Sequence, residues 1–343
     1  MRHAFALSLA ALGLLACAVP SAQAAPHQVK SFHASGDGGW DYLLVDSATR
    51  RFYISRGTHV MVLNADTGAS IGDIPNTEGV HGVALAPKLG RGFTSNGRGN
   101  SVTVFNLNTL KPVGLPVPVG QNPDCILYDP AAQRVFTFNG ESNDATAVNA
   151  ATGKVAGTIA LGGRPEYAVA DGKGEVFVNI EDKSEIVALN SRTLKIVRRW
   201  SIAPGDGPSG IAMDVAHRRL FSVCGNQMMV VSNADTGKVV ATPAIGDGPD
   251  ACIFDPARQL AISSNGAGSL TLVHEDSPNK YRVQATVPTQ PGARTEALDA
   301  KTHRIYTVAA KTAPPPAGAP TNGDRRRRSY LPGTFTVLVY GGW

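Results

Sequence analysis

Short apolar runs alternate with polar turn residues along nearly the whole chain after residue 24. Typical runs occupy 60–63 and 186–189, and each is bounded by Gly, Asn, Asp or Ser. Runs of this length, bounded by turn residues and rich in β-branched and aromatic side chains, are typical of β-strands, and no segment has the wider spacing of an amphipathic helix. The pattern therefore predicts an all-β protein.

A turn of the form N-x-x-T-G or N-x-x-T-L recurs between these runs. Asparagine can close an Asx-turn, and the glycine of the first form tolerates a positive φ, so each copy predicts a hairpin. The copies are separated by 42, 43, 41 and 43 residues and begin at Asn64, Asn106, Asn149, Asn190 and Asn233.

A second position, occupied by aspartate in every repeat but one, recurs once per repeat, and each copy is followed by another β-rich run. Copies of a four-strand unit at a spacing of about 40 residues are the signature of a β-propeller, whereas a β-sandwich does not keep such a period. We therefore predict seven blades of four antiparallel strands. The second position is occupied by Asp46, Ala86, Asp129, Asp171, Asp214, Asp255 and Asp299.

The two ends of the chain suggest how the ring closes. The seventh repeat supplies strands near 295–299, 304–310 and 334–340 and then the chain ends, so one strand is missing. The segment 27–34 has strand-like alternation and is predicted to complete that blade, which also removes unpaired strand edges. Residues 25–343 are thus expected to form one domain. Its one insertion, a Pro- and Arg-rich loop at 311–333, cannot build a core of its own.

The first 24 residues are predicted to be a signal peptide. Basic residues at 2 and 3 precede an apolar run, and the small residues of Ala22-Gln23-Ala24 match a signal-peptidase site. Alternatively, Cys17 lies in a lipobox-like context and would be lipidated. Either outcome predicts a periplasmic or secreted protein, and no later segment is long and apolar enough to span a bilayer.

Composition narrows the possible partners. The formal net charge is +5, and part of it lies in the run Arg325, Arg326, Arg327 and Arg328. A local basic run is a weaker nucleic-acid signal than a basic face, although it could contact phosphate groups. Cys125, Cys224 and Cys252 are odd in number without paired spacing, so we expect buried free thiols. We expect a monomer.

The repeats resemble those of the bacterial YVTN-repeat, or YncE-like, propellers. Second strands comparable to Y-V-T-N occur at 93–96 and 136–139, and 52–55 is a looser copy. The G-x-x-P segment that leads into the inner strand occurs at 120–123, 162–165, 205–208 and 246–249. The resemblance implies a propeller fold and an exported location, but no particular reaction.

One polar residue per repeat is predicted at the mouth of the central channel, five positions before each member of the second repeated position. Exposed loop ends are often polar, so a purely solvated role explains this equally well. Arg294 falls between Asp250 and Asp41 in the ring and can pair with both. These seven channel-mouth residues are Asp41, His81, Asp124, Glu166, Ser209, Asp250 and Arg294.

Two functions from different classes follow from this ring. The first is a binding or scaffold protein for a small molecule, a peptide or an envelope partner, which requires no cofactor. The second is a metal-assisted hydrolase of the sugar-lactonase type, in which His81, Asp124 and Glu166 hold a divalent cation and Asp250 is the base.

Three further residues are predicted to line the pocket from neighbouring loops, namely Trp40, His59 and Arg98. By contrast, the acidic turn 274–276 falls on the opposite face and is interpreted as solvated.

Overall fold

The structure is a computed structural model that describes residues 1, 25–36, 39–313 and 330–343. The predicted signal peptide, Cys17 and the four arginines at 325–328 lie outside these residues, so their assignments stay predictions. The described chain forms seven four-stranded antiparallel sheets, as the repeats predicted.

Strand β1 (His27–His33) belongs to the last blade, and the other blades take four consecutive strands each. Blades one to three comprise β2 (Leu43–Asp46), β3 (Arg51–Ser55), β4 (Val60–Asn64), β5 (Ser70–Ile74), β6 (Val80–Ala86), β7 (Arg91–Asn96), β8 (Ser101–Asn106), β9 (Val117–Pro118), β10 (Pro123–Asp129), β11 (Arg134–Asn139), β12 (Asp144–Asn149) and β13 (Val155–Ala160).

Blades four to six follow in the same order, and blade seven comes last. Their strands are β14 (Pro165–Ala170), β15 (Glu175–Ile180), β16 (Glu185–Asn190), β17 (Lys195–Ser201), β18 (Pro208–Asp214), β19 (Arg219–Cys224), β20 (Met228–Asn233), β21 (Val239–Ala241), β22 (Pro249–Asp255), β23 (Leu260–Asn265), β24 (Ser269–Ser277), β25 (Lys280–Pro288), β26 (Glu296–Asp299), β27 (Arg304–Ala309) and β28 (Thr336–Gly341). Single-turn 3-10 helices occur at Pro87–Leu89 and Glu181–Lys183.

The N-terminal strand closes the ring. β1 pairs antiparallel with β28 and thereby becomes the outer strand of the seventh sheet, in the order β1-β28-β27-β26. The inner strands β2 and β26 contact each other, so the first and last blades are neighbours. Closure by the first strand, predicted from the missing strand of blade seven, is confirmed.

The core lies between neighbouring blades. The aromatic residue of the second strand is fully buried in blades one to five, as Phe52, Phe93, Phe136, Phe177 and Phe221 show. Burying one such side chain contributes about 2–3 kcal/mol, so these aromatics hold adjacent sheets together. Cys125, Cys224 and Cys252 are buried and free, as expected.

The asparagine of the YVTN-like segment fastens the second strand to the third. Asn139 Nδ2 donates to Asp144 Oδ1 (2.6 Å) and Thr146 Oγ1 (3.0 Å). Asn96 and Asn265 make the corresponding bonds in blades two and six. Since all three are buried, these bonds satisfy polar groups that would otherwise be costly.

The described end of the insertion packs onto the body of the propeller. Tyr330 pairs with Thr312 through an isolated bridge, and its ring lies 4.7 Å from that of Trp40. Tyr330 thus packs against the cluster that contains Trp40 and Phe335. Residues 314–329 lie outside the described residues, so the expectation that the insertion builds no core of its own stays a prediction.

Within the described residues, no helix is long and apolar enough to cross a membrane.

Candidate functional site: the channel mouth

We call the face that carries the turns between second and third strands the mouth face, and the other the opposite face. Five of the channel-mouth residues lie where the inner strand leaves regular pairing with the second strand. A bulge there turns a side chain away from the sheet, here toward the axis. The irregular pairings lie between Val80 and Val83, Pro123 and Ile126, Pro165 and Ala168, Pro208 and Ile211, and Pro249 and Ala251.

Polar side chains of one blade hold the backbone of the next channel-mouth residue. Ser95 Oγ donates to the Asp124 carbonyl, and Ser264 Oγ donates to the Arg294 carbonyl. Asn179 Nδ2 donates to the Ser209 carbonyl over 2.8 Å. The mouth is thus positioned by contacts between blades as well as within them.

His81 lies between two carboxylates. Its Nδ1 is 2.5 Å from Asp41 Oδ2 and 3.5 Å from Asp124 Oδ1. On the other side of the imidazole, Gly97 and Asn122 approach closely: a Cβ added at Gly97 would lie 2.5 Å from His81 Nε2. The ring is therefore fixed between its acidic partners and a glycine.

Arg294 neutralises the other side of the mouth. Its guanidinium is ion-paired with Asp250, and Nη2 lies 3.6 Å from Asp41 Oδ1. The same nitrogen donates to the Trp40 carbonyl over 3.3 Å. The expected pairing of Arg294 with Asp250 and Asp41 is confirmed.

Two acids of the mouth lack hydrogen bonds from the described residues that would stabilise their charge. Glu166 makes no hydrogen bond or ion pair with the residues that the structure describes. Asp124 Oδ1 is buried without a hydrogen bond from them. Ser209 uses its hydroxyl to donate to the Pro249 carbonyl (3.2 Å) and adds no charge.

The pKa values of the mouth reflect this excess of acid. Burial and the charges of Asp124 and Asp250 raise the pKa of Glu166 to about 8. Burial also raises the pKa of Asp124 to about 6, against the opposing effect of His81. Burial disfavours the His81 cation, but the hydrogen bond to Asp41 and the neighbouring carboxylates outweigh it and raise the pKa of His81 to about 9. At neutral pH, His81 is therefore charged and Glu166 is largely protonated.

The ligand atoms that come together differ from the predicted metal set. Asp41, His81 and Asp124 each bring one metal-ligating atom within 4.8 Å of the others, and Glu166 does not join them. The prediction of His81, Asp124 and Glu166 took consecutive blades. It missed Asp41, which belongs to blade one and reaches His81 from the side opposite to Asp124.

The three residues predicted from neighbouring loops do not bind to the ring residues through their side chains. Trp40 is buried against Tyr330 and Phe335, and only its carbonyl reaches Arg294. His59 contacts Thr58 and lies 4.0 Å from Asp73 in its own blade. Arg98 is exposed on the mouth face. Apolar packing against Tyr330 and Phe335, close to blade seven, decides the position of Trp40, and sequence spacing does not reveal that contact.

Sequence reasoning missed two tyrosines below the ring. Tyr42 and Tyr167 each follow a channel-mouth residue and pack edge to face at 4.9 Å. The equivalent residues of the other blades are small, so two tyrosines at this position were a readable signal. Both line a cavity of about 450 Å³ that extends toward the opposite face along β2, β6 and β10.

Comparison with known proteins shows the fold alone. No protein-family model matches the chain, and no curated protein matches it. Among solved structures, RRP9 WD40 repeats align at 7% identity over 93% of this chain and 99% of that chain, with a TM-score of 0.76.

A chain of a mitotic checkpoint complex aligns at 12% identity over 100% of this chain and 99% of that one, with a TM-score of 0.74. A chain of Kuenenia stuttgartiensis hydrazine synthase aligns at 14% identity over 80% and 94%, with a TM-score of 0.70. The chain is a seven-bladed β-propeller with an acidic channel mouth.

Proposed function

We propose that this protein is an exported binding or scaffold propeller of the YVTN-repeat kind, and that its channel mouth receives a cationic group of its ligand. Glu166 is the observation that carries the proposal. It is a partly buried carboxyl group that faces other acids and makes no ion pair with the described residues. The guanidinium of Arg164 acts on it from a distance, but that guanidinium is ion-paired with Glu181.

The charges of the mouth support a cationic ligand rather than an anionic one. Arg294 is committed to Asp250 and Asp41, and His81 is committed to Asp41 and Asp124. An ammonium or guanidinium group beside Glu166 would replace its proton and add charge-assisted hydrogen bonds. Within the ring itself, an anion would meet only Arg294 and His81, which are already paired.

A pair of diamine and diol probes tests the proposal. We expect cadaverine to bind the mature protein and pentane-1,5-diol, its uncharged counterpart of similar length, to bind far less. Glu166→Gln should weaken cadaverine binding about 10-fold, the equivalent of one charge-assisted hydrogen bond. Isothermal titration calorimetry measures both.

Glu141→Gln is the matched control, because Glu141 is an exposed acid in a loop of the same face. It should bind cadaverine as the parent protein does. Equal weakening by the two variants would mean that overall charge, and not the mouth, attracts the amine.

The metal-assisted hydrolase stays a second candidate because Asp41, His81 and Asp124 gather three ligand-type atoms. Those residues would hold a divalent cation that activates water. The candidate requires a stoichiometric ion that His81→Ala removes, together with turnover of a lactone.

A further inference from the structure

A second group of ligand-type atoms lies on the opposite face, between blades five and six. Asp214 ends β18, His217 lies in the following turn, and Glu275 is in β24 of the next blade. Each offers one atom, and the three atoms lie within 4.8 Å of one another. His217 Nδ1 is 2.6 Å from Asp214 Oδ2 and 3.2 Å from Glu275 Oε1.

Glu275 is 1% exposed, and neither carboxylate oxygen takes part in a hydrogen bond of normal geometry within the described part of the chain. The charge of Arg219 also acts on Glu275, but the Arg219 guanidinium donates to the carbonyls of Pro278, His217 and Arg218 and to Asn279. A buried carboxyl group without a hydrogen bond is costly, so its presence requires a reason. The earlier interpretation of residue 275 as solvated is wrong.

The fold places small or apolar side chains at this position elsewhere. This position follows the turn asparagine at the end of the third strand, or follows His274 in blade six. In each of blades one to six, the residue at this position donates its backbone N–H to the carbonyl of the residue just before the second strand. Glu275 makes that bond to Gln259 (2.9 Å) and is the only acid of the six. The others are Ala65, Leu107, Ala150, Ser191 and Ala234. Blade architecture does not explain a carboxyl group here.

Asp214 also lacks the basic side chain that the next blade gives to three of the equivalent aspartates. Arg50 pairs with Asp299 over 2.6 Å, and Arg218 pairs with Asp171 over 2.9 Å. His303 contacts Asp255 in the same way at 2.8 Å. The residue of blade six at that position is Gln259, which has no charge.

We propose that Asp214, His217 and Glu275 bind a divalent transition-metal ion such as Zn²⁺. One imidazole nitrogen and two carboxylate oxygens suit such an ion, and two negative charges balance it. Asp214 Oδ1 accepts the Ala216 N–H (2.9 Å), which orients Oδ2 toward His217. The His217 side chain is 41% exposed, so the ion has access from solvent and water can fill the open coordination positions.

Zinc binding at the channel mouth must be removed before this site can be tested, because Asp41, His81 and Asp124 also bring ligand-type atoms together there. Zinc titration of His81→Ala protein by calorimetry should show one bound ion, which excess Mg²⁺ does not displace. Adding His217→Ala or Glu275→Gln should each weaken zinc binding at least about 10-fold.

His303→Ala in the same background is the matched control, since His303 also faces an aspartate but no second acid. It should bind zinc as the His81→Ala parent does. Because His217 is exposed and Glu275→Gln keeps the shape of the side chain, thermal unfolding should show both variants folded. Absence of zinc binding, or equal binding by the His217→Ala or Glu275→Gln protein, would overturn the proposal.

Discussion

At the scale of single residues, the channel mouth is a set of acids and bases whose charges do not balance. Asp41 and Asp250 are paired with His81 and Arg294, whereas Glu166 is not paired. Folding therefore brings Glu166 into a place where its ionised form is disfavoured. It does so without a compensating contact from the described residues, and sites with such perturbed carboxyl groups are often binding sites.

The free energy of unfolding should decrease as the pH rises from about 6.5 to about 8. The raised pKa of Glu166, about 8, penalises the folded state progressively above the ordinary value of about 4.5. The stabilisation associated with the His81 pKa of about 9 is complete below about 6.5 and is lost above it. Both effects have the same sign between pH 6.5 and 8.

Urea denaturation at pH 6 and pH 8.5 measures the effect. Glu166→Gln should reduce the pH-dependent loss by roughly 2 kcal/mol, after allowance for screening by water. Glu141→Gln should leave the slope unchanged. If Glu166→Gln and the parent protein lose the same stability, Glu166 ionises freely in the folded state.

At the scale of the element, each blade depends on buried polar residues of its second strand. These residues fasten the third strand and, through Ser95, Asn179 and Ser264, position the next channel-mouth backbone. The geometry of the mouth is therefore coupled to the rigidity of the blades, because a strand that moves takes the neighbouring mouth residue with it.

Removing one strand-fastening asparagine should destabilise the whole protein. Asn139→Ala removes one donor from each of Asp144 and Thr146 and creates a cavity, so we expect a loss of about 2–3 kcal/mol. Asn108→Ala, at an exposed turn position, should change stability by less than about 0.5 kcal/mol. Comparable urea midpoints for the two variants would show that Asn139 does not fasten its blade.

At the scale of the whole molecule, sequence periodicity predicted the blade number, the strand order and the closure of the ring. Each of these follows from a unit that recurs seven times along the chain and lacks one strand in its last copy. The ring of polar residues followed from the same count. Spacing could not reveal which side chains meet across the axis: Asp41, not Glu166, reaches His81, and Trp40 turns into the core. Those outcomes depend on bulges and packing in three dimensions.

Ring closure also bears on the proposed export. Cleavage after Ala24 would leave two residues before β1, whereas lipidation of Cys17 would leave a ten-residue tether. We expect the mature protein from a bacterial envelope fraction to begin at Ala25, as intact-mass and N-terminal analysis would show. A lipidated Cys17, or an uncleaved N-terminus in the cytoplasmic fraction, would contradict this expectation.

The proton balance of cadaverine binding tests the central claim most directly. If the amine takes the place of the proton on Glu166, titration at pH 7 in two buffers of different ionisation enthalpy should show release of close to one proton, and Glu166→Gln should abolish that release. Binding without proton release, or release that persists in Glu166→Gln, would contradict a cation site at this carboxyl group.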